Sequence, residues 1–177
     1  MEQSIISLIQ QATKGDSTAY KELFLQYEAM IYRTAYIYVN NEQDALDIVQ
    51  ETAYRSLLNI HRLKNPEYFK SWLIKITINC AIDFLRKRKH TTTSFLNEWD
   101  MKEYDPDVAL SVSLLELVQK SLDEKEKSVV LLKYYYDYTL PVIAEILDLP
   151  LNTVKTILYR ALKRLRVNVM EGSLYGE

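Results

Sequence analysis

Tyr20, Phe24, Tyr27, Ile31, Ala35 and Tyr38 return at steps of three and four residues, the repeat that lays one apolar stripe along a helix. Strands alternate at every second position and do not use this spacing. Asp16 and Ser17 offer a cap where the pattern begins. A second helix is predicted from near Asn41 through "EQDALDIVQETAYRSLLNI". A third follows Pro66, a residue suited to a first helical turn, and carries "EYFKSWLIKITINCAIDFLRKRK". The run "LIKITIN" would suit a strand, but Leu73, Ile76, Cys80 and Phe84 share a helical face and no turn residues flank it, so the spacing predicts helix.

The chain then changes character. Residues 91–113, "TTTSFLNEWDMKEYDPDVALSVS", hold five acids against Lys102 alone, have Pro106 near the middle and show no sustained period, which predicts an acidic linker. Phe95, Leu96 and Trp99 give it a means of partial docking. Helical periodicity resumes from residue 114. The expected fold is therefore all-α: two small helical domains, 1–90 and 114–177, joined by the linker, with a helix-turn-helix in the second.

Several functional classes drop out. Of 177 residues only Gly15, Gly172 and Gly176 are glycine, which excludes a Gly-rich phosphate loop or dinucleotide fingerprint across the interior. His61 and His90 are the only histidines and fall in no recognisable catalytic or metal-binding constellation, so neither an enzyme, a metal centre nor a cofactor is expected. Cys80 stands alone and reads as a small buried hydrophobe in a cytosolic setting. No basic segment precedes an apolar run at the N-terminus, and no uncharged apolar stretch approaches the ~18 residues of a membrane span. These features predict a soluble, unprocessed, cytoplasmic protein without membrane insertion.

The formal net charge is −2, yet "LDLPLNTVKTILYRALKRLR" carries five Lys or Arg residues and no acid after Asp148. Such a run often marks a solvated face. Its spacing says more. Counted from Leu140, the small Ala144 takes the fifth place of a helix-turn-helix, where two helices cross closely, and Asp148 takes the ninth, in the turn. Glycine is common in that turn, and Asp is among the few other residues that tolerate a left-handed backbone. Ile143, Leu147, Leu149, Val154 and Ile157 supply the apolar contacts between the helices. Val154, Leu158, Ala161 and Leu165 form the inner seam of the second helix and leave its cations outward. In a major groove, Lys155, Thr156, Tyr159 and Arg160 could reach base edges, while Lys163, Arg164 and Arg166 would meet phosphates.

At this level of detail the chain resembles the extracytoplasmic-function (ECF) type of sigma-70 family initiation factor. "DALDIVQETAYRS" is similar to that family's region 2.2, "FKSWLIKITINCAIDFLRKRK" to regions 2.3 and 2.4, and "PVIAEILDLPLNTVKTILYRALKRLR" to region 4.2. The resemblance implies an alternative sigma factor that binds core RNA polymerase, recognises −35 and −10 promoter elements and promotes DNA melting. It implies docking on the β′ clamp helices through Asp44, Asp47, Gln50 and Glu51, although Leu46 replaces a usual acid and Ala53 a common aromatic. The same residues would also read as a solvated acidic helix face.

For the −10 element, the resemblance puts forward His61, Arg62, Lys64 and Asn65 in a base-capturing loop. It adds Asn79, Asp83 and Arg86 as a DNA-facing stripe, with Lys87, Arg88 and Lys89 continuing along phosphates. Phe69 and Trp72 match the family's aromatic pair, a pattern that core packing also explains. For region 4 it implies −35 reading by Lys155, Thr156, Tyr159 and Arg160 and contact with the β flap, with Ile157 where many members have a cation. "KYYYDY", Lys133 to Tyr138, reads as packing around the helix crossing. An anti-sigma factor is the further implied partner. The rival reading is a stand-alone helix-turn-helix repressor or activator, which would leave the region 2-like motifs idle. A helical adaptor would likewise leave the segregated cations unused.

Overall fold

The structure is a computed structural model that describes residues 2–91 and 117–174. It forms two compact units, Met1–Arg88 and Lys89–Glu177, and every element among the described residues is helical. The predicted linker, with Phe95, Leu96 and Trp99, lies outside the described residues except for Thr91, which ends a helix.

The first unit holds α1 (Glu2–Thr13), α2 (Ser17–Val39), α3 (Glu42–Asn59) and α4 (Phe69–Thr91), with short 3-10 turns at Ile60–Arg62 and Pro66–Tyr68 before α4. Helix α1 was not anticipated. Its Ile9 and Ala12 pack into the core against α2, and Gly15 at φ 99° makes the bend between the two helices. Asp16 caps α2, accepting bonds from the amides of Thr18 and Ala19 at 2.9 and 3.0 Å. Asn41 caps α3 in the same manner, accepting from the Asp44 amide.

The anticipated stripe of α2 is largely the buried one: Tyr20, Phe24, Ile31, Ala35 and Tyr38 face the core and Tyr27 is half-buried. Tyr20 donates to the Ala53 carbonyl and shares a hydrogen bond with Ser56 at 2.7 Å, tying α2 to α3. Residues 72–80 are continuous helix, so "LIKITIN" follows its apolar period over its β-branched content. The seam sits differently from expectation. Leu73, Ile74, Thr77, Ile78, Cys80 and Ala81 are buried, whereas Ile76 and Phe84 are only half-buried. Thr77 is buried because its hydroxyl donates back to the Leu73 carbonyl at 2.9 Å, and so behaves as an apolar residue. Burial raises the pKa of the Cys80 thiol, with the Thr52 hydroxyl and Arg55 opposing it.

The second unit contains α5 (117–121), α6 (Glu124–Val130), α7 (Leu140–Leu147) and α8 (Leu151–Leu174). Asp123 and Glu126 make a reciprocal capping box that starts α6. Its end widens into a π turn, Leu131–Tyr135, and Asp137 then takes φ 54°. This geometry corrects the packing reading of "KYYYDY": Tyr136 and Tyr138 are half-buried and stacked, but the wide turn throws Tyr134 and Tyr135 out to 60% and 50% exposure.

Helices α7 and α8 are joined through Asp148, Leu149 and Pro150. Asp148 sits at φ 51°, ψ 45°, the left-handed conformation anticipated for the turn, and the Leu149 amide bonds the Ala144 carbonyl at 3.0 Å. A β-branched residue cannot hold that backbone without strain. Asp148→Val is therefore expected to destabilise the second unit by about 1–2 kcal/mol, and Asp148→Gly by much less. Urea titrations of the two variants followed by helical circular dichroism test this, and equal midpoints would contradict it.

Candidate nucleic-acid interface

Helix α8 separates its surfaces as its sequence period requires. Val154, Ile157 and Ala161 are buried, and Leu158 and Leu165 are half-buried against Val118 of α5, Val130 of α6 and Leu122 between them. Ile143 and Ile146 of α7 complete the interior, with Leu147 and Leu149 half-buried beside them. Lys155, Thr156, Tyr159, Arg160, Lys163, Arg164 and Arg166 are all exposed. Tyr159, at 71%, is the most exposed large apolar side chain among the described residues.

Three of these residues have further partners. The Thr156 hydroxyl donates to the Asn152 carbonyl at 2.9 Å, which fixes the side chain along the helix. Arg164 donates from Nη1 to the buried Glu126 carboxylate at 2.9 Å, and Arg160 approaches the same group at 3.9 Å. Ile157, the departure from a cation, is 4% exposed and belongs to the core of the unit.

In the first unit, a cavity of about 440 Å³ opens between α3 and α4, lined by Arg55, Asn59, Arg62, Trp72, Lys75, Ile76 and Asn79. Trp72, Ile76 and Asn79 recur at four and three residues along α4, and Arg55, Asn59 and Arg62 do so at the end of α3 and its following turn. The cavity thus has an aromatic wall, two carboxamides and three cationic side chains. That set can stack a base, bond its polar edge and neutralise the adjoining phosphate. The aromatic pair divides: Phe69 is 1% exposed, in the core, while Trp72 is half-buried on the cavity wall with its ring 5.8 Å from that of Phe69.

Of the residues anticipated for the −10 element, Arg62 and Asn79 meet at this cavity, while His61 and Lys64 are exposed nearby in sequence but do not line it. Asn65 is half-buried and accepts from the Glu67 amide at 3.0 Å, capping the turn before α4. Arg55, Asn59 and Lys75 were missed. Their signal was the four-residue step from Arg55 to Asn59, which aligns both with Arg62.

Asp83 does not stand clear as a DNA-facing group. It accepts from Arg55 Nη1 at 2.8 Å, Arg55 Nε bonds Glu51 at 2.6 Å, and Arg86 lies 3.8 Å from the second Asp83 oxygen. Asp83 first, then Glu51, raises the pKa of Arg55 and secures its charge. Likewise Asp44, at the start of α3, is paired with Arg88 of α4. Lys87 is exposed, and the Lys89 side chain lies outside the described residues. Asp47 and Gln50 are exposed, and Glu51 is half-buried. Leu46, beside them and 41% exposed, lines a second cavity of about 510 Å³ with Glu28, Tyr32, Arg33 and Val49.

A helical unit with a cation-lined, aromatic cavity and a second helical unit built on a helix-turn-helix define a two-part nucleic-acid-binding protein. Comparison with known proteins makes this specific. Residues 23–91 match the family Sigma-70 region 2, and residues 113–165 match Sigma-70, region 4. The chain is 41% identical over 149 residues to the RNA polymerase sigma factor SigV of Bacillus subtilis, an alignment covering 81% of this chain and 86% of that protein. It is 32% identical over 181 residues to the ECF RNA polymerase sigma factor SigW of the same organism, covering 94% and 97%. Among solved structures it resembles CnrH, in complex with the cytosolic domain of CnrY, with a TM-score of 0.69, 20% identity and coverage of 95% and 98%. It also resembles the sigma factor RpoE of Bartonella quintana, in complex with the anti-sigma factor NepR, with a TM-score of 0.70, 18% identity and coverage of 85% and 96%.

The chain belongs to the ECF subfamily of the sigma-70 family of RNA polymerase sigma factors. Its function is that of a sigma factor, binding core polymerase and promoter DNA through its region 2 and region 4 parts. No helix among the described residues is long and apolar enough to cross a membrane.

Proposed function

We propose that the region 2-like domain, residues 1–90, captures an extruded base of the −10 element in the cavity between α3 and α4, while α8 of the 114–177 domain reads the −35 element. The observation that carries this reading is the cavity itself, which brings Trp72, Arg62 and Asn79 together on one opening. Asn79 offers donor and acceptor to a base edge, Trp72 a stacking face, and Arg62 and Lys75 positive charge, while Arg55 is held by Asp83 and Glu51. Arg86, Lys87, Arg88 and Lys89 continue along phosphates, with His61, Lys64 and Asn65 at the loop beside the opening. On α8, Lys155, Thr156, Tyr159 and Arg160 address base edges, and Lys163 and Arg166 address phosphates.

Docking on the β′ clamp helices uses Asp44, Asp47, Gln50 and Glu51 of α3, of which Asp47 and Gln50 are the exposed pair. Region 4 touches the β flap. The two grips act in register, since tethering converts the second engagement into an intramolecular one. An anti-sigma factor is proposed as a further partner: the two solved structures described above each hold a bound protein, named in one of them as an anti-sigma factor. The proposed site of action is the cytoplasm.

Transcription reconstituted from core polymerase and the chain on a promoter library tests the assignment. Asn79→Ala is expected to flatten preference within the −10 element, and Lys155→Ala within the −35 element, each by roughly 5–150-fold at the base concerned. Equal loss on every promoter from both variants would argue against base reading.

A further inference from the structure

Glu126 is the only acidic side chain among the described residues that is buried, with 0% exposure. Its place in the capping box accounts for one bond, from the Asp123 amide to Oε2 at 3.2 Å. The remaining contacts come from α8. Arg164 Nη1 donates to Oε2 at 2.9 Å, and Oε1, which accepts no hydrogen bond, has Arg160 Nε at 3.9 Å. The two arginines are one turn apart and about half exposed, at 52% and 55% of their side chains. A buried carboxylate therefore looks out beneath the helix through two guanidinium groups.

We propose that Glu126 is a positioning residue for duplex recognition, keeping Arg164 as an internal strut of α8 and steering Arg160 toward its base. The proposal rests on the reading of α8 as the −35 element reader. Removing Arg164 to a phosphate would strand a buried charge, a cost that a solvent-screened phosphate contact does not offset. Arg164 thus stays with Glu126 when DNA binds. Arg160 is attracted but not hydrogen-bonded, with Nε as its nearest atom to the carboxylate. The Nη edge of its rigid fork is then the one left to face outward, in the orientation that suits a bidentate contact with guanine.

The test uses the full chain with core polymerase, measuring promoter binding against salt and against single-base changes in the −35 element. Lys163→Ala is expected to lower the salt slope by about 1, as for a lost phosphate contact, whereas Arg164→Ala leaves it unchanged. Glu126→Gln keeps a residue that can complete the capping box but removes the charge. It is expected to reduce preference at the base pair read by Arg160 by roughly 3–10-fold, with other positions unaltered, as a partial loss of one bidentate contact. Combining it with Arg160→Ala should add nothing at that base pair beyond Arg160→Ala alone. A slope change of about 1 in Arg164→Ala would overturn the strut, and unchanged or uniformly weakened base preference in a folded Glu126→Gln protein would overturn the steering. Lys155→Ala separates the two levels. If it shifts preference at its own position while Glu126→Gln does not, positioning alone fails; if neither Lys155→Ala nor Arg160→Ala shifts any preference, the −35 reading fails and takes the proposal with it.

Discussion

Leu73→Ala is expected to remove about 2–5 kcal/mol from the first unit, because the side chain is 0% exposed and its loss leaves a cavity in the helical core. A unit of this size has on the order of 4–13 kcal/mol in total, so the variant approaches the unfolding threshold. Urea titration of the full chain should show the transition of the first unit moving to lower concentration while that of the second holds its midpoint. Promoter opening should fall in step with the folded fraction. A shared displacement of both transitions, or none, would contradict the assignment of Leu73 to a separate core.

Trp72→Ala carries the second large effect. Its ring packs partly on the core and partly walls the cavity, so the loss of stacking on a captured base is worth about 1–3 kcal/mol, or roughly 5–150-fold in open complexes. Open complexes formed by the variant and the parent chain can be compared on an ordinary promoter and on one with an abasic site at the captured position. The defect is expected on the first template and to vanish on the second. A defect of the same size on both would mean that Trp72 acts through folding alone.

The helices were legible wherever one apolar stripe met a capping residue. Asp16, Asn41 and Asp148 all occupy the terminal positions their chemistry favours, and α8 presents the cations that its inner seam leaves outward. The seam of α4 was less legible. Thr77 supplies a buried position through a bond to the Leu73 carbonyl one turn back, which a count of apolar residues does not register, so the apolar period points to Ile76 instead.

Long-range polar pairing was not legible at all. Residues 51, 55 and 83 become one network only when α3 lies against α4, and Glu126 meets Arg164 only when α6 lies under α8. The cavity between α3 and α4 was half legible for the same reason: motif likeness points to Asn79 and Arg62, while Arg55 and Lys75 join them only in the fold. The exposed Tyr134 and Tyr135 follow from a π turn that an apolar period cannot announce.

In both units, helices pack chiefly on close neighbours along the chain, α1 on α2, α2 on α3 and α6 on α8, so few distant strands of polypeptide must find one another. Helical topologies of this kind fold in about microseconds to milliseconds. A ribosome adding ~5–20 residues per second needs several seconds to deliver the chain that follows Arg88. The amino-terminal unit is therefore expected to finish folding during translation, before the helix-turn-helix unit has been synthesised.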